Sequence, residues 1–289
     1  MPENPLCGGL RGRPFRPCTR RYAITTLSDQ ALRELLGFAN RLADASGAVI
    51  KRYFRTGIEI TDKKDKGEGR YSPVTAADQG AEAAIRTLIK AEHPDHGIMG
   101  EEHGHENPDA RFTWVIDPID GTKAFITGLP TWGTLIALND MGRPVLGLLD
   151  QPILGERFTG GPDGAFLGKT RLKTRICPKL SDAILCCTEP EMFEAGAEQK
   201  AFKRLARQVA LRRFGTDCYA YAMLAHGFVD LVVEASLAPW DIQALIPIVE
   251  RAGGLVTNWE GGPAADGGRV VAAGDPALHR DVLAVLQQS

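Results

Sequence analysis

Two aspartates three positions apart give the sequence its clearest chemical signal: Asp117 and Asp120, within Trp114-Val115-Ile116-Asp117-Pro118-Ile119-Asp120-Gly121-Thr122-Lys123. Phe112 to Ile116 reads as a short buried strand, and both carboxylates follow where an extended strand must break. Pro118 fixes φ between them and offers no N–H to a ladder. Gly121 permits a tight turn or a close approach to a ligand, and Thr122 can cap a short helix after it. Such a turn aims both carboxylates and the Ile119 carbonyl at one small volume. Hard oxygen donors held that way suit Mg²⁺, which takes one or two carboxylates plus waters and substrate phosphate oxygens. The N–H groups of Gly121 and Thr122, at a helix start, suit a phosphate. The competing structural reading is that Asp117 ends a strand and Asp120 caps a turn, and an isolated D-x-x-D does not decide between the two.

Other acids stand at comparable places. Gly97 to Gly100 reads as a strand running into Glu101-Glu102. Asp78 closes a capping box with Thr75, which by itself makes it a helix cap. Asp241 starts a helix that runs to Arg251 and ends at Gly253-Gly254. Glu234 ends a strand, and Asp217 ends the turn Gly215-Thr216-Asp217 before a helix from Cys218 to Ala225. Taken together, Glu101, Asp117, Asp120 and Asp241 follow strand ends or precede helices, where a layered fold opens a cleft. His93, His96, His103 and His105 lie near the Glu101 strand, but no H-E-x-x-H or Cys/His ligand spacing accompanies them, and they read as loop residues rather than zinc ligands. None of the six cysteines is in C-x-x-C spacing, and none is assigned a catalytic role.

The elements that must position these acids are legible in outline. With 289 residues, 44% of them hydrophobic, the chain can bury a large core. A formal net charge of −2 gives no footing for a nucleic-acid binder or a membrane-surface protein. No apolar run reaches the roughly 18 residues of a membrane span, and the cysteine usage fits a reducing cytoplasm. Residues 1–27 carry five arginines against the single acid Glu3 and read as a disordered basic arm. An α+β half is expected over 28–168. It has a long helix from Ser28 to Phe54, a strand over Ile58–Thr61, a charged mobile loop at 62–70, a helix from Thr75 to about Glu92 and a hairpin of 133–139 with 143–150. From 169 to 289 strands and helices alternate, which predicts an α/β half.

The phrases VTAAD (74–78), GEE (100–102), WVIDPIDGTKAF (114–125) and PWD (239–241), in this order, resemble the inositol monophosphatase superfamily of Mg²⁺-dependent, lithium-sensitive phosphatases. The resemblance runs from about residue 28 to the C-terminus. It implies a layered αβαβα sugar-phosphatase fold, a homodimer, two or three Mg²⁺ ions per site and a small phosphate monoester as substrate. Carried over by position, it implies metal ligation by Glu101, Asp117, the Ile119 carbonyl, Asp120 and Asp241. It pairs Asp78 with Thr122 in orienting the attacking water near Glu101, makes Gly121 and Thr122 the phosphate cradle, and gives Gly215 and Glu234 to the rest of the substrate. Within the superfamily, GTKAFITGLPTWGTLIAL (121–138), FGTDCYAYAMLAHGFVDLVVEA (214–235) and PWDIQALIPIVERAGG (239–254) resemble the histidinol-phosphatase branch. Asp217 stands where inositol phosphatases carry a small residue, and beside Glu234 it suits a substrate with an ammonium and an imidazolium. The alternatives are a sister phosphatase for inositol phosphates, fructose bisphosphate or a phosphoadenosine nucleotide, and a non-catalytic ligand-binding member.

Overall fold

The computed structural model describes residues 27–57, 61–62 and 73–288. The basic arm, the strand at 58–61 and the charged loop at 62–70 therefore fall almost wholly outside the described residues.

Helix α1 (Asp29–Ile50) begins where Ser28 accepts a hydrogen bond from the Ala31 N–H at 3.2 Å. It stops four residues earlier than its apolar spacing predicts, and Tyr53 and Phe54 sit in turns beyond it. Two short strands, β1 (Thr61–Asp62) and β2 (Pro73–Val74), pair antiparallel ahead of α2 (Ala76–Glu92). The Thr75/Asp78 capping box that opens α2 is present as expected.

Next come β3 (Gly97–Gly100), β4 (Gly104–Glu106), β5 (Phe112–Asp120), the single-turn helix α3 (Thr122–Ile126), β6 (Gly133–Asp140), β7 (Arg143–Gln151), β8 (Glu156–Gly161), β9 (Gly164–Leu167) and β10 (Thr170–Arg171). They form an eight-stranded sheet in the order β10-β9-β8-β7-β6-β5-β3-β4, antiparallel except for the parallel pair β3–β5. The strand β4 corrects the reading of His105 as a loop residue, while His103 lies in the turn before it. His105 pairs with Met99 in a ladder, on an edge too short and too wet to show a hydrophobic pattern.

The rest of the chain supplies β11 (Ile184–Cys187), α4 (Ala197–Ala206), β12 (Leu211–Phe214), α5 (Asp217–Ala225), β13 (Leu231–Leu237), α6 (Pro239–Ile242), α7 (Leu245–Arg251), β14 (Leu255–Asn258), β15 (Gly268–Ala273) and α8 (Pro276–Leu286). Its five strands lie in the order β12-β11-β13-β15-β14, with β11 parallel to both neighbours. The helix expected from Asp241 to Arg251 is instead two pieces. Pro239 opens α6, and Pro247 has no N–H to donate back to residue 243, so it is tolerated only in the first turn of a new helix.

Both sheets are buried on both faces. Along β6, Ile136 and Leu138 face α1 and α2, while Leu135 and Ala137 face the interior between the sheets. Along β13, Leu231 and Val233 face α4 and α8, while Val232 faces that same interior. Helices α5 and α7 fill the space between, giving the order helix, sheet, helix, sheet, helix: the layered α+β sugar-phosphatase architecture.

The middle layer sits very close to the first sheet. A Cβ on Gly147 of β7 would lie 1.9 Å from the Ala244 carbonyl oxygen, and one on Gly160 of β8 would lie 2.4 Å from the Pro247 carbonyl carbon. Backbone cannot give way there as a flexible side chain can. Gly147→Ala is therefore expected to destabilise the protein by at least about 3 kcal/mol. A denaturant-melt shift of less than about 1 kcal/mol would show that the layers can part to admit a methyl group.

Candidate active site

The strand β5 does not break at Pro118, as its sequence suggests; it continues to Asp120 with an irregular register. Asp117 pairs with Leu135 and Asp120 with Gly133, three steps on one strand against two on the other. Residues three apart on a regular strand point to opposite faces, so the one-residue bulge is what turns both carboxylates toward the same side. Pro118 suits this place because a bulged residue has no ladder bond to lose. Its carbonyl is held by the Thr134 hydroxyl at 2.8 Å, and the Ile119 N–H donates to Asp117 Oδ1 at 3.0 Å.

Gly121 then takes a left-handed conformation, φ 85°, and is itself the residue before α3, so Thr122 is the first helical residue and not the cap. A Cβ on Gly121 would also approach Asp217 Cβ to 3.1 Å and Trp132 Cα to 3.2 Å. The Thr122 hydroxyl donates to the Ile119 carbonyl at 3.1 Å. Beneath α3 the fully buried Trp132 packs against Phe54 and Phe125, with ring centroids 5.5 and 5.0 Å away.

The second half of the chain closes the site. Asp241, in the single turn of α6, accepts from the Ala238 N–H at 2.7 Å. One carboxylate oxygen each from Asp117, Asp120 and Asp241 lie within 4.8 Å of one another. Asp120 also accepts from the backbone N–H of Cys218 at the start of α5, at 2.7 Å. A cavity of about 290 Å³ opens over the trio, lined by Glu101, Ile119, Gly121, Thr122 and Asp217 among others.

Asp78, Gly215 and Glu234 lie outside that lining. Asp78 is buried behind it, its carboxylate accepting from the N–H and hydroxyl of Thr75. Gly215 joins two loops, donating to Thr188 O at 2.8 Å and accepting from the Thr131 hydroxyl at 3.0 Å. Glu234 is no surface acid: it is 3% exposed, accepts from the N–H and hydroxyl of Thr188, and accepts from Tyr221 at 2.9 Å. Asp217 does not cap α5. It is the first residue of that helix at φ 42°, with its carboxyl in the cavity.

Several contributors escaped the sequence reading. Lys123, Thr188, Glu189, Met192 and Ser236 also line the cavity. Behind Glu101, the fully buried carboxylate of Glu82 accepts from the N–H groups of Glu102 at 2.8 Å and His103 at 3.1 Å, and from Arg86 Nε at 2.7 Å. This carboxylate passes so close under the turn that a Cβ on Gly100 would lie 2.1 Å from it, which is why the strand before Glu101 ends in glycine. The available signal was Glu82 and Arg86 on the apolar face of α2, one turn apart.

Crowding of like charge dominates the electrostatics. Burial first, then the charge of Glu101, Asp120, Asp241 and Asp78, holds the Asp117 carboxyl well above its ordinary range. Asp120 is raised by burial and by Asp241 and Asp217. Burial pushes Asp241 to about 8, against the pull of the Ala238 N–H, and pushes Asp217 to about 7 with help from Glu234. Three hard oxygen donors that repel one another in a desolvated pocket fit a small divalent cation such as Mg²⁺. No histidine or cysteine belongs to the cluster among the described residues.

A carboxyl raised by folding keeps its proton at pH values where the unfolded chain has lost it. That stabilisation is complete below the unfolded value and disappears as pH rises through the folded one. The melting temperature in chelator is expected to fall between about pH 5 and pH 9, the range that includes Asp217 at about 7 and Asp241 at about 8. Mg²⁺ should restore most of the loss, and Asp120→Asn should flatten the profile. A melting temperature independent of pH in chelator would remove the charge-crowding account.

Comparison with known proteins gives the family. The family model described as the inositol monophosphatase family matches residues 31–289. The chain is 46% identical to the bifunctional phosphatase IMPL2, chloroplastic, of Arabidopsis thaliana, over 98% of this chain and 83% of that one. It is 36% identical to a histidinol-phosphatase of Streptomyces coelicolor, covering 88% of this chain and 97% of the relative. Among solved structures, an inositol monophosphatase from Zymomonas mobilis superposes with a TM-score of 0.80 at 41% identity, covering 89% of this chain and 99% of that one. Members of the family use Mg²⁺, and the acidic trio is a group of donors that could hold a metal ion. The chain belongs to the inositol monophosphatase family and is a phosphatase.

Proposed function

We propose that this phosphatase hydrolyses L-histidinol phosphate to L-histidinol and phosphate, within histidine biosynthesis. The observation that carries the reading is Asp217, a carboxyl outside the acidic trio that faces the same cavity. A leaving group bearing an ammonium and an imidazolium gains from that carboxylate in a partly desolvated pocket, whereas a polyol gains less. Glu234 supports it from behind, holding Thr188 against the cavity and adding negative charge. The second reading is an inositol-1-phosphatase, favoured by the likeness to the Zymomonas mobilis enzyme.

In this reading Glu101, Asp117, the Ile119 carbonyl, Asp120 and Asp241 hold two or three Mg²⁺ ions. When bound, the metal supplies Lewis-acid activation of water and neutralises the charge on the leaving oxygen. The N–H groups of Gly121 and Thr122 receive the phosphate, and Asp78 with Thr122 orients the attacking water. Gly215 shapes the substrate end by joining the Thr131 and Thr188 loops. Phosphoryl transfer asks little more of a protein than placement and charge neutralisation.

A homodimer belongs to the same reading. Its support is a set of exposed apolar side chains, Leu129, Ile153, Leu154 and Phe214, brought near one another by Gln151 and by the Thr131–Gly215 bond. Leu154→Glu is expected to give a monomer by light scattering, and an unchanged dimer would remove this surface from the interface. A reducing compartment such as the cytoplasm suits the four buried free thiols Cys177, Cys186, Cys187 and Cys218. No described helix is long and apolar enough to cross a membrane.

Phosphate release from a panel of monoesters, with Mg²⁺ and with chelator, tests the whole reading. Activity should require Mg²⁺ and be greatest on histidinol phosphate. Asp217→Ala should lower kcat/KM for that ester by about 10- to 100-fold, the worth of one charge-assisted contact. A neutral-headed ester should lose much less. Equal losses on the two, or a wild-type preference for inositol phosphate, would favour the second reading.

A further inference from the structure

One ion pair spans the mouth of the cavity. Lys123 Nζ, from the first turn of α3, lies 2.8 Å from Glu189 Oε1, in the segment after β11. Both side chains line the cavity, and Lys123 is the one cation among the described residues that line it. Away from Glu101 and the Asp117–Asp120–Asp241 trio, that lining carries Lys123 against Glu189 and Asp217, with Glu234 buried behind Thr188. Lys123 also faces Asp217 closely enough to counter the negative charge of Glu189 there. The side chains of Lys123 and Glu189 are 51% and 37% exposed, and an ion pair in contact with water to that degree is worth little and opens readily.

We propose that Lys123 is a place-holding cation, and that with Glu189 it sets the preference for positively charged leaving groups. In the free protein its ammonium, paired with Glu189 and sharing the cavity with Asp217, takes the place of a substrate ammonium. A phosphate monoester with a cationic head displaces Lys123 into solvent and takes its place beside the carboxylates. An ester with a neutral head cannot make that exchange, so it meets the mouth with the Lys123–Glu189 pair still closed. Glu189 is thus a specificity residue beyond Asp217, and Lys123 tempers the strength of the selection. The inference rests on the reading that the natural substrate carries positive charge on its leaving group.

The test uses two esters matched in size, phosphoethanolamine and 2-hydroxyethyl phosphate, which differ at the head by an ammonium against a hydroxyl. The quantity read is the ratio of their kcat/KM values in the full-length, Mg²⁺-loaded protein. Lys123→Gln should raise the ratio by about three- to tenfold, through KM rather than kcat, and Glu189→Gln should lower it by a similar factor. Lys123→Arg, which keeps the cation, should stay near wild type. A wild type that prefers the charged ester, with that preference untouched in both glutamine variants, overturns the place-holder and leaves the substrate reading intact. No preference in the wild type and none in Lys123→Gln overturns both.

Discussion

Carboxylates that repel one another in a poorly solvated pocket are the constraint on which this structure turns. Asp117, Asp120 and Asp241 would separate if each were free to do so, and each is instead fastened by a backbone N–H: Ile119 to Asp117, Cys218 to Asp120 and Ala238 to Asp241. Those bonds stabilise the charged form and oppose burial, which favours the neutral one. The balance leaves the trio short of positive charge, which is the condition under which a divalent cation binds strongly. Rigidity beneath the site maintains that tension. The Phe54–Phe125–Trp132 cluster, the buried Glu82 under the Glu101 turn and the close contact of α7 with β7 and β8 leave the backbone little room to relax.

The acids that the fold gathers were legible in the sequence, while the geometry that joins them was only partly so. Asp117 and Asp120 stood out because Pro118 and Gly121 punctuate the chain around them. The bulge that turns both to one side was not legible, because it is defined by the pairing of β5 with β6 and not by β5 alone. Asp241 was visible through Pro239 and Trp240, yet the break between α6 and α7 was not, since its apolar positions keep helical spacing across it. Glu82 and Glu189 went unread for a shared reason. Each belongs to a helix or loop whose local pattern is complete without it, and its partners lie in other elements: Glu102 and His103 for the first, Lys123 for the second.

The histidines show the converse. Four of them near Glu101 raised a transition-metal site, and absent ligand spacing argued against one. The structure gives His96 other work: its Nδ1 accepts from the Trp114 indole at 3.1 Å, and burial lowers its affinity for a proton. His93 stacks on His96, and Phe38 meets the edge of the same pair. They brace the outer layer of helices rather than the cavity.

The cavity is divided between two stretches of chain that are made at different times. Asp117 and Asp120 come from the eight-stranded sheet and Glu101 from the turn after β3, whereas the N–H of Cys218 and the carboxylate of Asp241 arrive with the middle helices. A ribosome-bound chain that has released only the first sheet therefore holds some of its acids but lacks Asp241 and the amide that steadies Asp120. The acidic trio is complete only when the second sheet docks, so the same event that completes the fold also assembles the cluster.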